Sequence, residues 1–293
     1  MPLPPNFQFS QASLQDFVDC RRRFYLRYIE QLAWPAAQSE PLLENERAML
    51  DGARFHRLVH QYLLGISTER LSRLEMGENL RLWWENFISA KSRLVGIDTP
   101  GYHHLAEYSL SAPLADYRLV AKYDLVAVGG ENRPSRLWIY DWKTSRFRTR
   151  RSVLASRLQT RVYPFLLARA GKALNQDQPI HPEQIEMVFW FAGFPEQPEP
   201  FPYSLSQFRQ DQDDLTALIQ TIARLADKAG PSESEDHQNF PLTSDVQKCA
   251  ICVYRSLCDR GQRGGESDLE EGQSIAELTD LDLDFDQIAE LEF

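Results

Sequence analysis

Apolar residues recur at helical spacing in five stretches of the chain. This pattern predicts helices over residues 8–33, 41–64, 68–88, 151–170 and 205–229. Ser10 or Ser13 can cap the first of them. Gly65 and Gly171 follow the second and the fourth helix, where glycine commonly ends a helix. Three of the five predicted helices therefore lie before the first predicted strand.

The middle of the chain has a different pattern, with alternating or continuous apolar runs typical of strands. Strands are predicted over residues 105–111, 116–128, 136–143 and 185–192. The polar stretch 129–135 contains glycine, asparagine and proline, so it predicts a turn between the second and third strands. These two strands then form an antiparallel hairpin. The order of elements predicts an α/β fold with a mixed central sheet flanked by helices.

Charge divides the 293 residues into two parts. Residues 264–293 contain eleven acidic residues and no lysine or arginine, whereas the rest of the chain has 31 acidic residues against 32 basic ones. The hydrophobic content of 43% is that of a globular protein. We therefore expect one folded domain over residues 1–263 and a flexible acidic tail over 264–293. The tail is interpreted as a docking element, or as a mimic of DNA that shields a basic cleft.

The apolar runs and the arginines bear on location and partners. The longest apolar runs, such as 162–168, fall short of the roughly 18 residues that a membrane helix needs. The first residues lack the features of a secretory signal, so we expect a cytoplasmic protein with no membrane partner. Arginines cluster within residues 21–27 and 146–161. Such clusters are either solvated helix faces or patches that attract a polyanion.

Two strand positions carry candidate catalytic groups. Side chains two apart on a strand share a face, so Asp141 and Lys143 project together, away from Tyr140 and Trp142. A surface strand often carries such a pair with no function. A carboxylate that holds a metal beside a lysine that orients or deprotonates water also suits phosphodiester hydrolysis.

A second acid strengthens the catalytic interpretation. Asp124 interrupts an apolar strand, and the predicted hairpin places it beside Asp141. Neighbouring carboxylates repel each other unless a cation lies between them, and hard oxygen ligands favour Mg²⁺ or Mn²⁺. The alternative is an ion pair of Asp124 with Lys122 or an arginine.

Further polar residues occur on the neighbouring elements. His56 and His60 lie four apart on one predicted helix, without the glutamate of a zinc-protease motif. Glu107 is on the first strand, where it could reach the site or orient a ligand. Gln159 and Tyr163 lie one turn apart on the helix after the hairpin and could contact a phosphate or a base. Taken alone, the histidine pair and Tyr163 are more typical of a structural role.

Taken in order, these residues form a recognisable set: Gly52-x-x-x-His56, Asp124, Asp141-x-Lys143 and Gln159-x-x-x-Tyr163. The set resembles the RecB-like branch of the PD-(D/E)XK nuclease superfamily over residues 10–260. The resemblance implies a restriction-endonuclease-like core and assigns a role to each residue. His56, Asp124 and Asp141 would bind the metal, Lys143 would be the catalytic lysine, and Gln159 and Tyr163 would form the QxxxY motif. Ala121 stands where the branch usually has glycine, a difference that concerns loop geometry.

The four cysteines are Cys20, Cys249, Cys252 and Cys258. Disulfides are disfavoured in the cytoplasm, and four thiolates suit either a zinc ion or an iron–sulfur cluster. The arrangement resembles the iron–sulfur clasp of AddB-type helicase-nucleases and CRISPR-adaptation exonucleases. This resemblance implies a [4Fe–4S] cluster, with zinc as the less favoured occupant, joining the N- and C-terminal segments. Arg21 stands where a proline often follows the first cysteine.

The resemblance implies a metal-dependent deoxyribonuclease using Mg²⁺ or Mn²⁺. We expect an exonuclease on single-stranded DNA in repair, recombination or CRISPR adaptation. The alternative is a DNA-binding subunit of a repair complex that does not cleave or that depends on a helicase. No GxxxxGK[ST] loop occurs in the sequence, so ATP-driven unwinding would come from a separate helicase or a repair or CRISPR partner protein.

Overall fold

The structure is a computed structural model that describes residues 2–32, 40–129, 135–228, 238–249 and 252–260, with the backbone alone for 40–47. The tail expected over 264–293 lies outside the described residues, as do residues 130–134 of the predicted turn. Among the helices of the described ranges, none is long and apolar enough to cross a bilayer.

Eight α-helices occur in the described ranges: α1 Gln11–Asp19, α2 Arg21–Phe24, α3 Glu40–Leu63, α4 Thr68–Leu71, α5 Glu78–Ala90, α6 Arg151–Ser156, α7 Gln159–Ala170 and α8 Leu205–Asp227. The strands are β1 Gln8–Ser10, β2 Tyr102–Leu114, β3 Tyr117–Gly129, β4 Arg136–Lys143, β5 Ile185–Phe191 and β6 Glu199–Pro202. A π-helix, Tyr25–Ile29, follows α2, and short 3₁₀ turns include Val246–Cys249 and Ser256–Cys258.

The six strands form one mixed sheet in the order β1-β3-β4-β5-β6, with β2 also paired to β3. The β2–β3, β3–β4 and β5–β6 pairs are antiparallel, whereas β1–β3 and β4–β5 are parallel. Both faces are covered, as an apolar strand such as β4 requires. One face packs against α1, α7 and α8, and the other against α3 and α5. The predicted mixed sheet flanked by helices is therefore confirmed.

The predicted helix over residues 8–33 is wrong at both ends. Residues 8–10 pair with β3 as a short strand, because Ser10 and Ser13 form a capping box that starts α1 at Gln11. Cys20 is extended, with φ −158° and ψ 108°, and therefore ends α1. The remaining helical residues form α2 and the π-helix.

Three further element predictions need correction. The helix expected over 68–88 is divided into α4 and α5, with Gly77 as the N-cap of α5. The helix expected over 151–170 is interrupted at Arg157, which has an extended ψ of 141°. Strand β6 was not predicted because its sequence, Glu-Pro-Phe-Pro, contains two prolines that strands normally avoid.

Candidate active site

The site lies where one edge of β3 has no continuous strand partner in the described sheet. On that edge β1 pairs with residues 118–120 and β4 with residues 125–129. The intervening residues 121–124 face a gap between these two ladders. The faces of the strand also change there, since Tyr123 packs in the cluster beneath α7 and Leu125 packs in the opposite cluster. Asp124 is located at this change of face.

Asp124 and His56 complete the backbone hydrogen bonding at the gap. The β3–β4 ladder ends at the Leu125–Tyr140 pair, so the next backbone groups of β4 on that side belong to Trp142. The Trp142 N–H donates to Asp124 Oδ2 at 2.8 Å, and the Trp142 carbonyl lies 3.0 Å from His56 Nε2. His56 Nδ1 lies 3.2 Å from Asp124 Oδ1. Helix α3 therefore inserts His56 between the two separating strands.

The charge state of His56 follows from these contacts. Burial is the largest influence and disfavours the imidazolium, but Asp124, helped by Asp141 and Glu107, outweighs it and raises the pKa of His56 to about 9. Burial alone would raise the pKa of Asp124, yet His56 and the Trp142 N–H lower it. In the metal-free protein, we therefore describe this pair as an imidazolium and a carboxylate.

Glu107 lies on β2 between two residues that pair with the neighbours of Asp124 on β3, and it has an unusual backbone. Its φ of +52° is left-handed, a conformation that costs a residue with a side chain on the order of 1 kcal/mol in mid-strand. Glu107, Asp124 and His56 offer ligand atoms that all lie within 4.8 Å of one another. Lys122 Nζ lies 3.0 Å from Glu107 Oε2. The strained backbone thus directs a third ligand group toward the same point.

Asp141, Lys143 and Gln159 form a second polar group that is almost fully buried. Gln159 Nε2 donates to Asp141 Oδ1 at 2.5 Å, and Lys143 Nζ donates to Gln159 Oε1 at 3.2 Å. Lys143 Nζ also lies 3.1 Å from Asp141 Oδ2. Tyr140 and Trp142 pack on the opposite face, as the strand alternation predicts. Burial of an ion pair is costly without such bonds, which makes this group a candidate for function.

Both groups face one cavity of about 350 Å³. Its lining includes His56, Glu107, Asp124, Asp141, Lys143, Gln159 and Tyr163, together with Arg57, His60 and Lys122. The ring of Tyr163 lies edge-on to that of Tyr123, with centroids 5.0 Å apart. The Tyr123 hydroxyl donates a hydrogen bond to the backbone carbonyl of Tyr163. The structure thus brings together every residue that the sequence placed at the candidate catalytic site. The tyrosine is both part of the core and part of the cavity wall.

Several arginines proposed to attract a polyanion have structural partners instead. Arg22 donates to the Phe240 carbonyl, and Arg23 pairs with Asp16 and Asp19. Arg161 pairs with two aspartates of α8. At these three positions a backbone carbonyl or neighbouring carboxylates hold the guanidinium groups in structural contacts.

The four cysteines meet at a second place, beyond the end of α1. Cys20, Cys249, Cys252 and Cys258 line one cavity with basic side chains that include Arg23, Lys248 and Arg255. We refer to these four residues as the cysteine cluster. Burial, more than the neighbouring thiols, raises the pKa of Cys258 to about 11, and burial also raises the pKa values of Cys249 and Cys252. Without a metal, these raised pKa values favour the protonated and poorly nucleophilic thiol at Cys249, Cys252 and Cys258.

Two contributors to the site have only weak signals in the sequence. The closeness of Glu107 to Asp124 depends on a left-handed residue inside a strand, which no pattern of apolar residues indicates. Its signal was an acid on the strand next to that of Asp124. The backbone groups of Trp142 follow from the end of the β3–β4 ladder, which the hairpin prediction did not locate.

Comparisons with known proteins identify the family of this chain. No curated protein matches the chain. A crystal structure of a "Putative exonuclease" from Eubacterium rectale is similar over 93% of this chain and 92% of that chain, with 12% sequence identity and a TM-score of 0.47. A family model for the PD-(D/E)XK nuclease superfamily matches residues 8–259. With the family match spanning the whole sheet, the cavity and the cysteine cluster, the chain belongs to the PD-(D/E)XK nuclease superfamily.

Proposed function

We propose that the cavity hydrolyses phosphodiester bonds of DNA with the help of Mg²⁺ or Mn²⁺. The observation that carries this proposal is the convergence of His56, Asp124 and Glu107 beside the buried Asp141–Lys143–Gln159 group. The first three residues present nitrogen and oxygen ligands of the kind that bind divalent cations. The last three present an ammonium and a carboxylate in fixed positions.

The donor set fits a hard divalent ion. Three carboxylates line the cavity, and the ligand atoms of His56, Glu107 and Asp124 are close enough to share one ion. We propose that His56, Asp124 and Asp141 hold the ion, as the family resemblance implies, and that Glu107 adds a further ligand. When bound, the ion would offset the negative charge that develops on the phosphate.

The residues of the chain supply orientation and charge. Asp141 Oδ2 and Gln159 Oε1 hold Lys143 Nζ at the cavity wall. From there the ammonium group could orient the attacking water and stabilise the negative charge of the phosphorane, because Lys143 lines the cavity. Gln159 fixes Asp141 from the other side. Tyr163 borders the same cavity one helical turn later, where we propose that it contacts the substrate.

The test is substitution of Asp141 combined with end-labelled substrates. Asp141→Asn should lower cleavage at least a thousandfold with Mn²⁺ present, because it removes the charge that Lys143 and the ion share. The matched control is Asp98→Asn, which alters an aspartate bound to Tyr62 away from the cavity. Cleavage by Asp141→Asn at the rate of the control would contradict the proposal.

We further propose that the substrate is single-stranded DNA, attacked from an end. This part rests on the resemblance to exonucleases of the RecB-like branch, in repair, recombination or CRISPR adaptation, and a helicase would be supplied by another chain. Linear strands labelled at the 5′ or the 3′ end, compared with circular single strands and duplexes, test it. Equal cleavage of circular and linear strands would contradict attack from an end.

We propose that the cysteine cluster binds a [4Fe–4S] cluster in the reducing cytoplasm. Four thiols lining one cavity form a complete ligand set for such a cluster or for zinc. The expected role is structural, since the ligands join Cys20 to a segment more than 200 residues later. Iron, zinc and sulfide analysis of anaerobically purified protein distinguishes the two occupants. Zinc without iron would contradict the iron–sulfur assignment.

A further inference from the structure

The buried polar residues of α1 have no role in the proposed chemistry, although they lie between the cysteine cluster and the cavity. Gln15 and Asp19 are each 8% exposed and face away from solvent one helical turn apart. Gln15 Nε2 donates to Asp19 Oδ1 at 3.1 Å. A buried amide and carboxylate need partners in order to compensate for lost hydration. Their partners lie in opposite directions.

Asp19 connects this pair to the cysteine cluster. It precedes Cys20 in the sequence, and its Oδ1 accepts from Lys248 Nζ at 3.0 Å. Lys248 precedes Cys249 and lines the cavity of the cluster. Arg23, which also lines that cavity, donates to Asp19 Oδ2 at 3.0 Å. The position of the Asp19 carboxylate is therefore fixed by both cysteine-bearing segments.

Gln15 connects the pair to the active site. Its Oε1 accepts from the backbone N–H of Leu158 at 3.0 Å, a contact between residues 143 positions apart. Leu158 is the N-cap of α7, directly after the break between α6 and α7 at Arg157. At such a break a backbone N–H lacks its usual partner within the helix. Gln15 therefore fixes the start of α7 where it follows α6.

The first residue of α7 is Gln159, whose amide contacts both Asp141 and Lys143. We propose that Gln15 is a positioning residue that couples the cysteine cluster to the catalytic group by holding Leu158, and so Gln159, in place. This inference rests on the proposed function of the cavity. It assigns Gln15 no contact with DNA or metal. A shift of the start of α7 would move the Gln159 amide away from the carboxylate and the ammonium that it holds.

The first test compares two buried glutamines. Gln15→Met keeps the length of the side chain and removes both hydrogen bonds. The control, Gln184→Met, makes the same change at a glutamine that is 6% exposed and bonds to Ser135 and His181 instead. We expect kcat on labelled single-stranded DNA to fall about tenfold to a hundredfold for Gln15→Met, with KM unchanged. Gln184→Met should leave kcat within twofold of the wild type.

The conservative variant Gln15→Glu separates positioning from folding. It retains an oxygen that accepts from Leu158 N–H. Because the neighbouring Asp19 carboxylate favours the protonated form of the new acid, its O–H can donate to Asp19, so the variant should recover most of the kcat lost in Gln15→Met. Circular dichroism and the melting temperature are measured for all variants. Equal kcat values for Gln15→Met and the wild type, or equal losses for Gln15→Met and Gln184→Met, would overturn the proposal.

A double-mutant cycle tests whether Gln15 acts through Gln159. On a Gln159→Ala background the amide that Gln15 positions is absent, so adding Gln15→Met should change the residual kcat less than twofold. An undiminished loss on that background would overturn the coupling.

The activity of the wild type distinguishes a failure of the proposed function from a failure of this inference. A wild type without metal-dependent cleavage contradicts the proposed function, whereas an active wild type with an indifferent Gln15 contradicts this inference alone.

Discussion

The catalytic cavity and the cysteine cluster both gather ionisable groups, but with opposite surroundings. The cavity collects three carboxylates from β2, β3 and β4 around a space of about 350 Å³. The cluster collects four thiols from the two ends of the described chain and borders them with Arg23, Lys248 and Arg255. Carboxylates around open space suit a ligand that exchanges with solvent. Thiols among cations suit a metal group that stays bound, because nearby positive charges stabilise the thiolates that hold it.

The backbone is irregular around the cavity and helical around the cysteine cluster. The cavity lies where a strand ladder stops and where Glu107 has a left-handed φ of +52°. Such departures from regular structure cost stability and persist where surrounding structure enforces them. In the cysteine cluster, by contrast, Cys20, Cys249 and Cys258 lie at the ends of short helical elements, namely α1 and two 3₁₀ turns. We infer that the cavity is built for chemistry and the cluster for holding the chain together.

The largest expected effect is the loss of catalysis when the buried lysine is replaced. Lys143→Met should lower kcat about a thousandfold, because it removes the ammonium group that we propose orients the attacking water and stabilises the phosphorane. Lys122→Met is the matched control, since Lys122 lines the same cavity but is 46% exposed and pairs with Glu107. Single-turnover cleavage of labelled DNA measures both rates. Similar losses in the two variants would remove the distinction between Lys143 and its neighbour.

The cysteine cluster should show the reverse pattern, with stability affected before chemistry. Cys252→Ser removes one ligand of the proposed cofactor and should lower the free energy of unfolding by about 2–5 kcal/mol, since metal binding contributes directly to folding. Urea unfolding followed by circular dichroism measures the change. Asp124→Asn, which alters the cavity, is the comparison and should lose cleavage with a smaller change in the unfolding midpoint. Equal midpoints for Cys252→Ser and the wild type would indicate that the cluster has no structural role.

The sequence predicts this pair of regions better than it predicts how they are joined. Strand alternation places Asp141 with Lys143, and helical spacing places Gln159 with Tyr163, because both periods are local properties of the chain. The break at Arg157 and the bond from Gln15 to Leu158 depend on packing between α1 and α7, which no local pattern contains. The conformation of Glu107 is likewise imposed by its neighbours in the sheet. The sequence therefore indicates the chemistry, and the fold determines the connections.

A smaller effect is expected from pH on the affinity of the cavity for Mn²⁺. The carboxylates raise the pKa of His56 to about 9 in the metal-free protein, so a cation must displace a proton from it. Between about pH 6.5 and 9, the affinity for Mn²⁺ should rise tenfold for each pH unit. Calorimetry of the metal-free wild type, titrated with Mn²⁺ in the absence of DNA so that no turnover occurs, measures the slope. In the His56→Asn variant the affinity should be lower and nearly independent of pH across this range.

The same proton has a consequence for stability without metal. The pKa of His56 is raised above its usual value of about 6.5, so protonated His56 stabilises the folded state. This contribution is fully present below about pH 6.5. The contribution is lost as the pH rises through about 9. Unfolding midpoints of wild type and His56→Asn should therefore converge at high pH in the presence of chelator. A constant difference between them would show that His56 does not carry the extra proton in the folded protein.

The smallest expected effect is a trade between stability and metal binding at Glu107. Glu107→Gly removes the left-handed strain together with the carboxylate, so it should raise the free energy of unfolding by up to about 1 kcal/mol. The affinity for Mn²⁺ should fall about tenfold, because one ligand oxygen is lost. Glu107→Ala should show the same loss of affinity without the gain in stability, since alanine retains the Cβ that makes the conformation costly.

Ala115→Gly is the matched control for Glu107. Ala115 has a φ of +51° in the turn between β2 and β3, away from the residues that line the cavity. Replacing it with glycine should give a similar gain in stability and leave Mn²⁺ affinity unchanged. If Glu107→Gly were no more stable than Glu107→Ala, the left-handed conformation would carry no cost. In that case the sheet would not hold Glu107 in a strained conformation for the metal site, while the two Mn²⁺ affinities would still test whether Glu107 is a ligand.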